Sequence, residues 1–361
     1  MDSLTHFALG ACLGATTLGR RASLRQVAIA GGILANLPDL DVFWPFDDPV
    51  DSFVLHRAAT HSLIMQAAAV PMIGEILRRM IPGLKDARWA CYAAVWLCLA
   101  SHSLLDYFTI YGTQLFWPLS REALALGNIF VIDPLYTLPL LAPLIWALWS
   151  GKWSRRFAKS LAAGLVLSSA YMGWTAIGQA WAQSRAVKAL AASGIAARQI
   201  LAAPTPLNSL LWRVIALDGP RYYNVYVPVL GGDASITVYA HRREPALGDC
   251  LAGSAPLRAL QQFSHGFYRL DIENGQLVWS DLRMGLTPLY TFRFALAQRQ
   301  ADGYKPMAPR RVRGPRASEG DIDWLLAGMQ GSKAIRPLEA NDLLAAARPA
   351  ILPSAPAAPG C

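Results

Sequence analysis

The sequence predicts an α-helical polytopic membrane domain of about six helices, followed by a small, mainly β soluble domain. Three observations carry that expectation. Hydrophobic residues make up 54% of the 361 residues and charged residues 16%, where an ordinary soluble domain carries about 25% charged residues. The long apolar runs all end before residue 183. Beyond residue 204 they give way to short segments rich in Val, Tyr, Phe and Trp, separated by glycine-containing turns. This composition excludes a disordered, coiled-coil or collagen-like chain.

Six apolar runs supply the expected helices: residues 4–19, 27–37, 62–81, 89–108, 129–149 and 157–181. The first two fall short of the roughly 20 residues a perpendicular span needs, so tilt, flanking turns or a shallow hairpin must make up the difference. Pro134, Pro139 and Pro143 are expected to kink the fifth. These runs define a helical membrane domain over 1–182, and residues 183–203 read as a linker. Strands are expected at 211–215, 222–229, 235–241, 266–272, 276–281 and 289–295. Asp218-Gly219, Gly231-Gly232 and Asn274-Gly275 are turn signals between them. Residues 204–347 therefore form an α+β domain, mainly antiparallel. Within it, 300–320 read as an Arg/Pro/Gly loop, and 322–329 and 338–347 as short closing helices. Residues 348–361 read as a disordered tail.

The net charge of +9 is not spread evenly. Arg20, Arg21 and Arg25 follow the first run. Arg78, Arg79, Lys85 and Arg88 follow the third. Lys152, Arg155, Arg156 and Lys159 follow the fifth. If each run crosses once, these loops share one side, cytoplasmic by the positive-inside rule, and the β domain is extracytoplasmic. His6, Asp39, Asp41, His56, His61, His102 and Asp106 fall at the opposite ends of the runs, where charge at membrane depth is costly and functional. Asp47, Asp48 and Asp51 read as a solvated acidic loop, and Glu75 as a partner of Arg78 or Arg79. His241 and His265 read as surface residues. No CxxC is present, which argues against a thiolate zinc site.

His and Asp together are the ligand set of a hydrolytic metal centre. His102 and Asp106 are spaced i, i+4 and share a helix face. His56 and His61 converge if His56 lies in a loop and His61 begins the helix. Asp39 and Asp41 flank one residue, so an extended segment points both the same way. With His6, the set suffices for two divalent ions. Such ions activate water and stabilise developing charge. Asp39 or Asp41 would bridge ions or act as base, and Arg57 would hold an anionic group such as phosphate. Asp133 before Pro134 is expected as a helix N-cap.

The ordered motifs Thr5-His6, Pro38-Asp39-Leu40-Asp41, His56-Arg57 with Thr60-His61-Ser62, and His102-Ser103-Leu104-Leu105-Asp106 with Gly112 and Pro118 resemble the predicted membrane-bound metal-dependent hydrolases. These are the LexA-regulated inner-membrane type of bacteria and archaea. The resemblance covers about residues 1–150. That family is distantly similar to zinc-dependent phospholipase C and the single-strand-specific zinc nucleases, all-helical enzymes with multinuclear zinc sites and an HxxxD ligand pair. The resemblance implies His6, Asp39, Asp41, His56, His61, His102 and Asp106 as ligands of a divalent metal, zinc by analogy. It implies a multi-pass protein of the bacterial inner membrane. The expected activity is hydrolysis of a phosphoester in a lipid or lipid-linked substrate at the outer face. The histidine-rich helix and glutamate of the phospholipases have no counterpart here, with Asp133 as the substitute. The lipid bilayer is the expected partner. Nucleic acid is not, because the basic residues of the first half alternate with apolar runs instead of forming a patch. The alternative is a non-enzymatic scaffold or transporter that uses the acid/histidine cluster for ions or protons.

Overall fold

A computed structural model of the chain describes residues 1–344. The chain divides into two compact units. The first comprises Met1–Pro45, Leu55–Ala176 and Pro206–Asn208; the second contains Phe46–Val54, Ile177–Thr205 and the chain from Ser209 onward.

In chain order the helices are α1 (Ser3–Leu18), α2 (Leu24–Leu34), α3 (Pro49–Leu55), α4 (Leu63–Met80), α5 (Arg88–Tyr107), α6 (Pro134–Ser150), α7 (Arg155–Ala192), α8 (Ala255–Phe263) and α9 (Asp321–Met329). A domain of six spanning helices is not what forms. Among the described residues, only α7 is long and apolar enough to cross a membrane, by length and composition. The physical reasons differ from helix to helix. The helices α1, α2 and α6 have 16, 11 and 17 residues, short of the roughly 20 that a span needs. Glu75, Arg78 and Arg79 all sit in α4. The last turns of α5 hold Ser101, His102, Ser103 and Asp106. The parity that placed the β domain outside rested on six crossings and falls with them.

The helix α7 has 38 residues, about 57 Å at 1.5 Å per residue. It leaves Val166, Leu167, Trp174 and Ile177 exposed. The segment 183–203, expected as a linker, is instead the end of α7 followed by strand β1 (Gln199–Pro204).

In the first unit α1 and α2 cross closely because glycine faces glycine. A Cβ on Gly31 would lie 2.3 Å from the Gly10 carbonyl oxygen, and one on Gly10 would lie 2.3 Å from the Ala35 Cβ. The core around this crossing includes Ala8, Cys12, Val27, Ala28, Cys98, Leu140 and Phe157. Cys91 and Cys98 are buried and free, as packing residues. Glu75 pairs with Arg78 at 2.7 Å and Arg88 at 3.1 Å, and accepts from the Tyr92 hydroxyl. The Arg78 hydrogen bonds dominate and draw the Glu75 carboxyl down to about 2.

The second unit holds two four-stranded antiparallel sheets. One has β1, β2 (Leu211–Asp218), β3 (Arg221–Pro228) and β4 (Thr237–Arg242) in that order. The other has β5 (Tyr268–Glu273) and β6 (Gln276–Asp281), then β9 (Arg293–Gln300) and β10 (Gly303–Arg311), in the order β10-β9-β6-β5. Between β6 and β9 in the chain, β7 (Gly285–Leu286) and β8 (Leu289–Tyr290) form a short hairpin. Asn274 and Gly275 both take positive φ, 50° and 74°, as the tight turn between β5 and β6 requires. Part of the expected loop 300–320 is strand β10. Its prolines are accommodated because it is an edge strand with a bulge between Pro306 and Arg310. Phe53 of α3 packs among Phe263, Phe292 and Phe294, so residues 46–54 belong to this unit and not to the helical domain. Asp47 is exposed, and Asp48 accepts from the Val50 and Asp51 amides at the start of α3. The expected helix at 338–347 is a 3-10 turn over Pro337–Asp342. Its end and the tail 348–361 lie outside the described residues.

His265 is exposed, but His241 is buried and hydrogen-bonded to Glu339 at 2.8 Å. Glu339 also accepts from Asn224, Tyr226 and Arg336. Burial alone would raise the Glu339 carboxyl; the His241 hydrogen bond and the nearby charges of His241 and Arg213 outweigh it and lower it. A carboxyl lowered in the folded state contributes stability that is present above its unfolded pKa and lost as pH falls through the folded value. Glu339→Gln should therefore destabilise this unit by about 3–5 kcal/mol near neutral pH, the cost of breaking a buried pair. The deficit should shrink below about pH 4.3, the ordinary Glu value. Urea melts at pH 7 and pH 3 measure it; an equal deficit at both would contradict the assignment. Asp281 and Arg283 form a buried ion pair at 2.7 Å.

Candidate metal centre

Three local features bring the candidate residues together. Pro38 ends the run after α2 and starts a 3-10 turn, Pro38–Phe43, which carries Asp39 and Asp41. A second 3-10 turn, Ala59–His61, places His61 just before Ser62, the N-cap of α4. The helix α5 presents His102 and Asp106 on one face, both fully buried. The turn around Asp39 and Asp41 is 3-10 and not extended, yet both carboxylates face histidines: Asp39 lies against His61 and His102, and Asp41 against His56 and His61.

The first group is Asp39, His61, His102 and Asp106, whose ligand atoms lie within 4.8 Å of one another. His61 Nε2 and His102 Nε2 are 3.0 Å apart. Asp39 Oδ1 is 3.4 Å from each. Asp106 Oδ2 is 3.4 Å from His61 Nε2 and 3.5 Å from His102 Nε2. Four N/O ligands about 2.1 Å from a tetrahedral centre would stand about 3.4 Å from one another.

The hydrogen bonds also assign the tautomers. His102 Nδ1 lies 2.6 Å from the Ala35 carbonyl oxygen. That oxygen can only accept, so Nδ1 carries the proton and Nε2 presents a lone pair. Thr60 Oγ1 donates to Asp41 Oδ2 at 3.0 Å. It therefore accepts from His61 Nδ1, 3.0 Å away, which leaves His61 Nε2 as a lone pair too. Two lone pairs and two carboxylate oxygens then converge in a buried space. Asp106 Oδ2 makes no hydrogen bond, although the Arg57 guanidinium stands 3.0 Å from it as an ion pair. Only a cation or a captured proton reconciles such a set. The residues fit a divalent metal.

Protonation is the competitor. Burial disfavours charge on His102, but hydrogen bonds to Asp106 and Asp39 outweigh it and raise its affinity for a proton. Burial would raise the Asp106 carboxyl; the Arg57 charge overcomes that and holds it well below the usual carboxylate range. Asp39 is likewise lowered, its burial outweighed by hydrogen bonds to His102 and His61.

The second group is Asp39, Asp41 and His56, and Asp39 is common to both. Asp41 accepts from His56 Nδ1 at 2.9 Å, from the Arg57 amide at 3.0 Å and from Thr60. The His56 hydrogen bond and charge overcome the effect of burial and lower its carboxyl. Arg57 has φ 66°, a left-handed backbone that costs a non-glycine residue on the order of 1–3 kcal/mol. Its side chain reaches Asp106 and Thr109 and lies over the Tyr111 ring.

His6 enters the same place without joining either group. It stacks on His102 with ring centroids 3.7 Å apart, and its Nε2 is 3.3 Å from Asp106 Oδ1. The Met1 nitrogen also contacts Asp106 Oδ1. Asp133 is not a substitute ligand. It caps α6 through the Leu135 and Tyr136 amides and accepts from the Tyr171 hydroxyl.

Residues 1–182, which contain every member of both groups, match the family described as YdjM inner membrane protein. The chain belongs to that family. This YdjM-family chain is 34% identical over 128 residues to inner membrane protein YbcI of Escherichia coli (strain K12), an alignment covering 33% of the chain and 68% of YbcI. It is 29% identical over 158 residues to uncharacterized protein YfhP of Bacillus subtilis (strain 168), covering 41% of the chain and 46% of YfhP. No solved structure matches. The family identifies an inner membrane protein; within the described residues of this YdjM-family member, α7 is the candidate span.

Sequence reasoning missed the residues that orient the ligands of this YdjM-family site. Thr60 sets His61, the Ala35 carbonyl sets His102, and Gln66 ties Thr60 to α5 by donating to the Thr60 carbonyl and Ser103 Oγ. Thr60 had a signal, since it adjoins His61. A backbone carbonyl has none.

Proposed function

We propose that the chain is a metal-dependent hydrolase of the inner membrane, acting on a phosphoester of a lipid or lipid-linked substrate. The observation that carries this reading is the buried convergence of two imidazole lone pairs and two carboxylates. The side of the set nearest solvent is Asp39, 26% exposed. A divalent ion held by Asp39, His61, His102 and Asp106 would supply Lewis-acid chemistry and an acidified water. Asp39, shared by both groups, is the carboxylate suited to bridging two ions. Asp41 is tied down by three hydrogen bonds, so it orients His56 and is a poorer base. His56 is a quarter exposed and with Asp39 and Asp41 would hold the second ion. Arg57 secures Asp106 and lines the adjoining cleft.

The test is turnover of bis(p-nitrophenyl) phosphate by full-length protein, after chelation and after zinc or manganese is restored. Metal-dependent turnover is expected, and Asp39→Asn should lower it by at least 100-fold. Absence of turnover at every metal level, in protein shown to bind the ion, would refute the hydrolase reading.

A further inference from the structure

Beside the His/Asp groups lies an open cleft of about 880 Å³ formed by α1, α2 and the Pro38–Phe43 turn. That volume falls within the range of small-ligand pockets. Its walls are Leu4, Phe7, Ile33, Leu40, Val42 and Phe43. Five of these are large apolar side chains left exposed, up to 80% for Phe43. Its polar lining includes Asp39, His56 and Arg57, the residues nearest the His/Asp groups. The Pro38–Phe43 turn therefore serves two purposes: Asp39 and Asp41 turn to the histidines, while Leu40, Val42 and Phe43 line the cleft. A small soluble anion would have no use for that apolar wall.

We propose that this cleft binds the hydrocarbon chain of an anionic amphiphile whose head group sits at Asp39, His56 and Arg57. The inference deepens the hydrolase reading and rests on it for the chemistry of the head, since the carboxylates accept an anion only with a cation between them. The chain-binding half rests on the cleft alone. Its signature is chain-length dependence: each methylene fully removed from water tightens binding about four-fold. The head alone gives none.

The experiment titrates zinc-loaded, full-length protein in amphipol with hexyl, octyl and decyl phosphate, each below its micelle concentration, by calorimetry. Affinity is expected to rise at each step, by up to about 15-fold per two methylenes. Ile33→Glu and, independently, Leu40→Ser should flatten the series while bound zinc stays unchanged. Equal affinities for the three phosphates would overturn the proposal, as would an unaltered series in both variants. The same samples are assayed with bis(p-nitrophenyl) phosphate. Hydrolysis with a flat series sinks the cleft proposal and spares the hydrolase reading. A steep series without hydrolysis supports the cleft and sinks the hydrolase.

Discussion

Replacing His102 by Ala should strip the protein of its bound divalent ion. Wild-type protein, purified and dialysed at pH 7.5, is expected to retain metal by elemental analysis. His102→Ala should retain a small fraction of it. Its Nε2 faces His61, Asp39 and Asp106 at 3.0–3.5 Å, so its loss removes one of the four converging ligand atoms. Losing an outer partner typically costs 10–100-fold in metal affinity, and losing a ligand should cost more. Thr60→Val supplies the outer-partner comparison. It removes the hydroxyl that links His61 Nδ1 to Asp41, so a 10–100-fold loss is expected, with Thr60→Ser restoring it. Affinity should also fall as pH drops, because the same carboxylates that hold the ion favour a proton on His102. Equal metal content in wild type and His102→Ala would remove the metal centre from consideration.

Gly31→Leu should prevent the first unit from folding stably. The Cβ alone would sit 2.3 Å from the Gly10 carbonyl oxygen and 3.0 Å from the Gly14 Cα. Overpacking against side chains costs about 1–3 kcal/mol; here the obstacle is backbone, which cannot rotate away. Metal binding should be lost with the fold, since α2 delivers both the Ala35 carbonyl and the turn bearing Asp39 and Asp41. Gly173→Ala is the control. It lies in α7 with nothing within 4 Å of an added Cβ, and alanine is favoured over glycine in a helix by roughly 0.5–1 kcal/mol. A wild-type melting temperature for Gly31→Leu would show that the crossing is not as tight as described.

Much of the local structure is legible in the residues. The apolar runs become helices, because runs of that length with good helix formers have few other ways to satisfy their backbone. Asn274-Gly275 becomes a tight turn for the φ it permits. The i, i+4 spacing puts His102 and Asp106 on one buried face. What failed was inference from a run to its environment. Apolar residues that pack glycine against glycine in α1 and α2 read the same as residues that face lipid, so six runs suggested six spans. Likewise Pro306 and Pro309 suggested a loop where an edge strand tolerates them, and His241 looked like a surface residue because its partner Glu339 is 98 positions away.

The sequence by itself determined which chemistry is available: histidines and aspartates in ordered motifs at run ends, with His102 and Asp106 already paired by helical periodicity. Only the tertiary structure decided which of them meet. It set Asp39 against His61 and His102 and Asp41 against His56, put His6 behind His102, committed Asp133 to a helix cap, and enlisted Thr60 and the Ala35 carbonyl to aim two lone pairs at one point. The reason is physical. Helical periodicity fixes a side chain's direction relative to its own helix, whereas tautomer and ligand geometry depend on partners 67 positions away, as from Ala35 to His102, that only folding brings within hydrogen-bond reach.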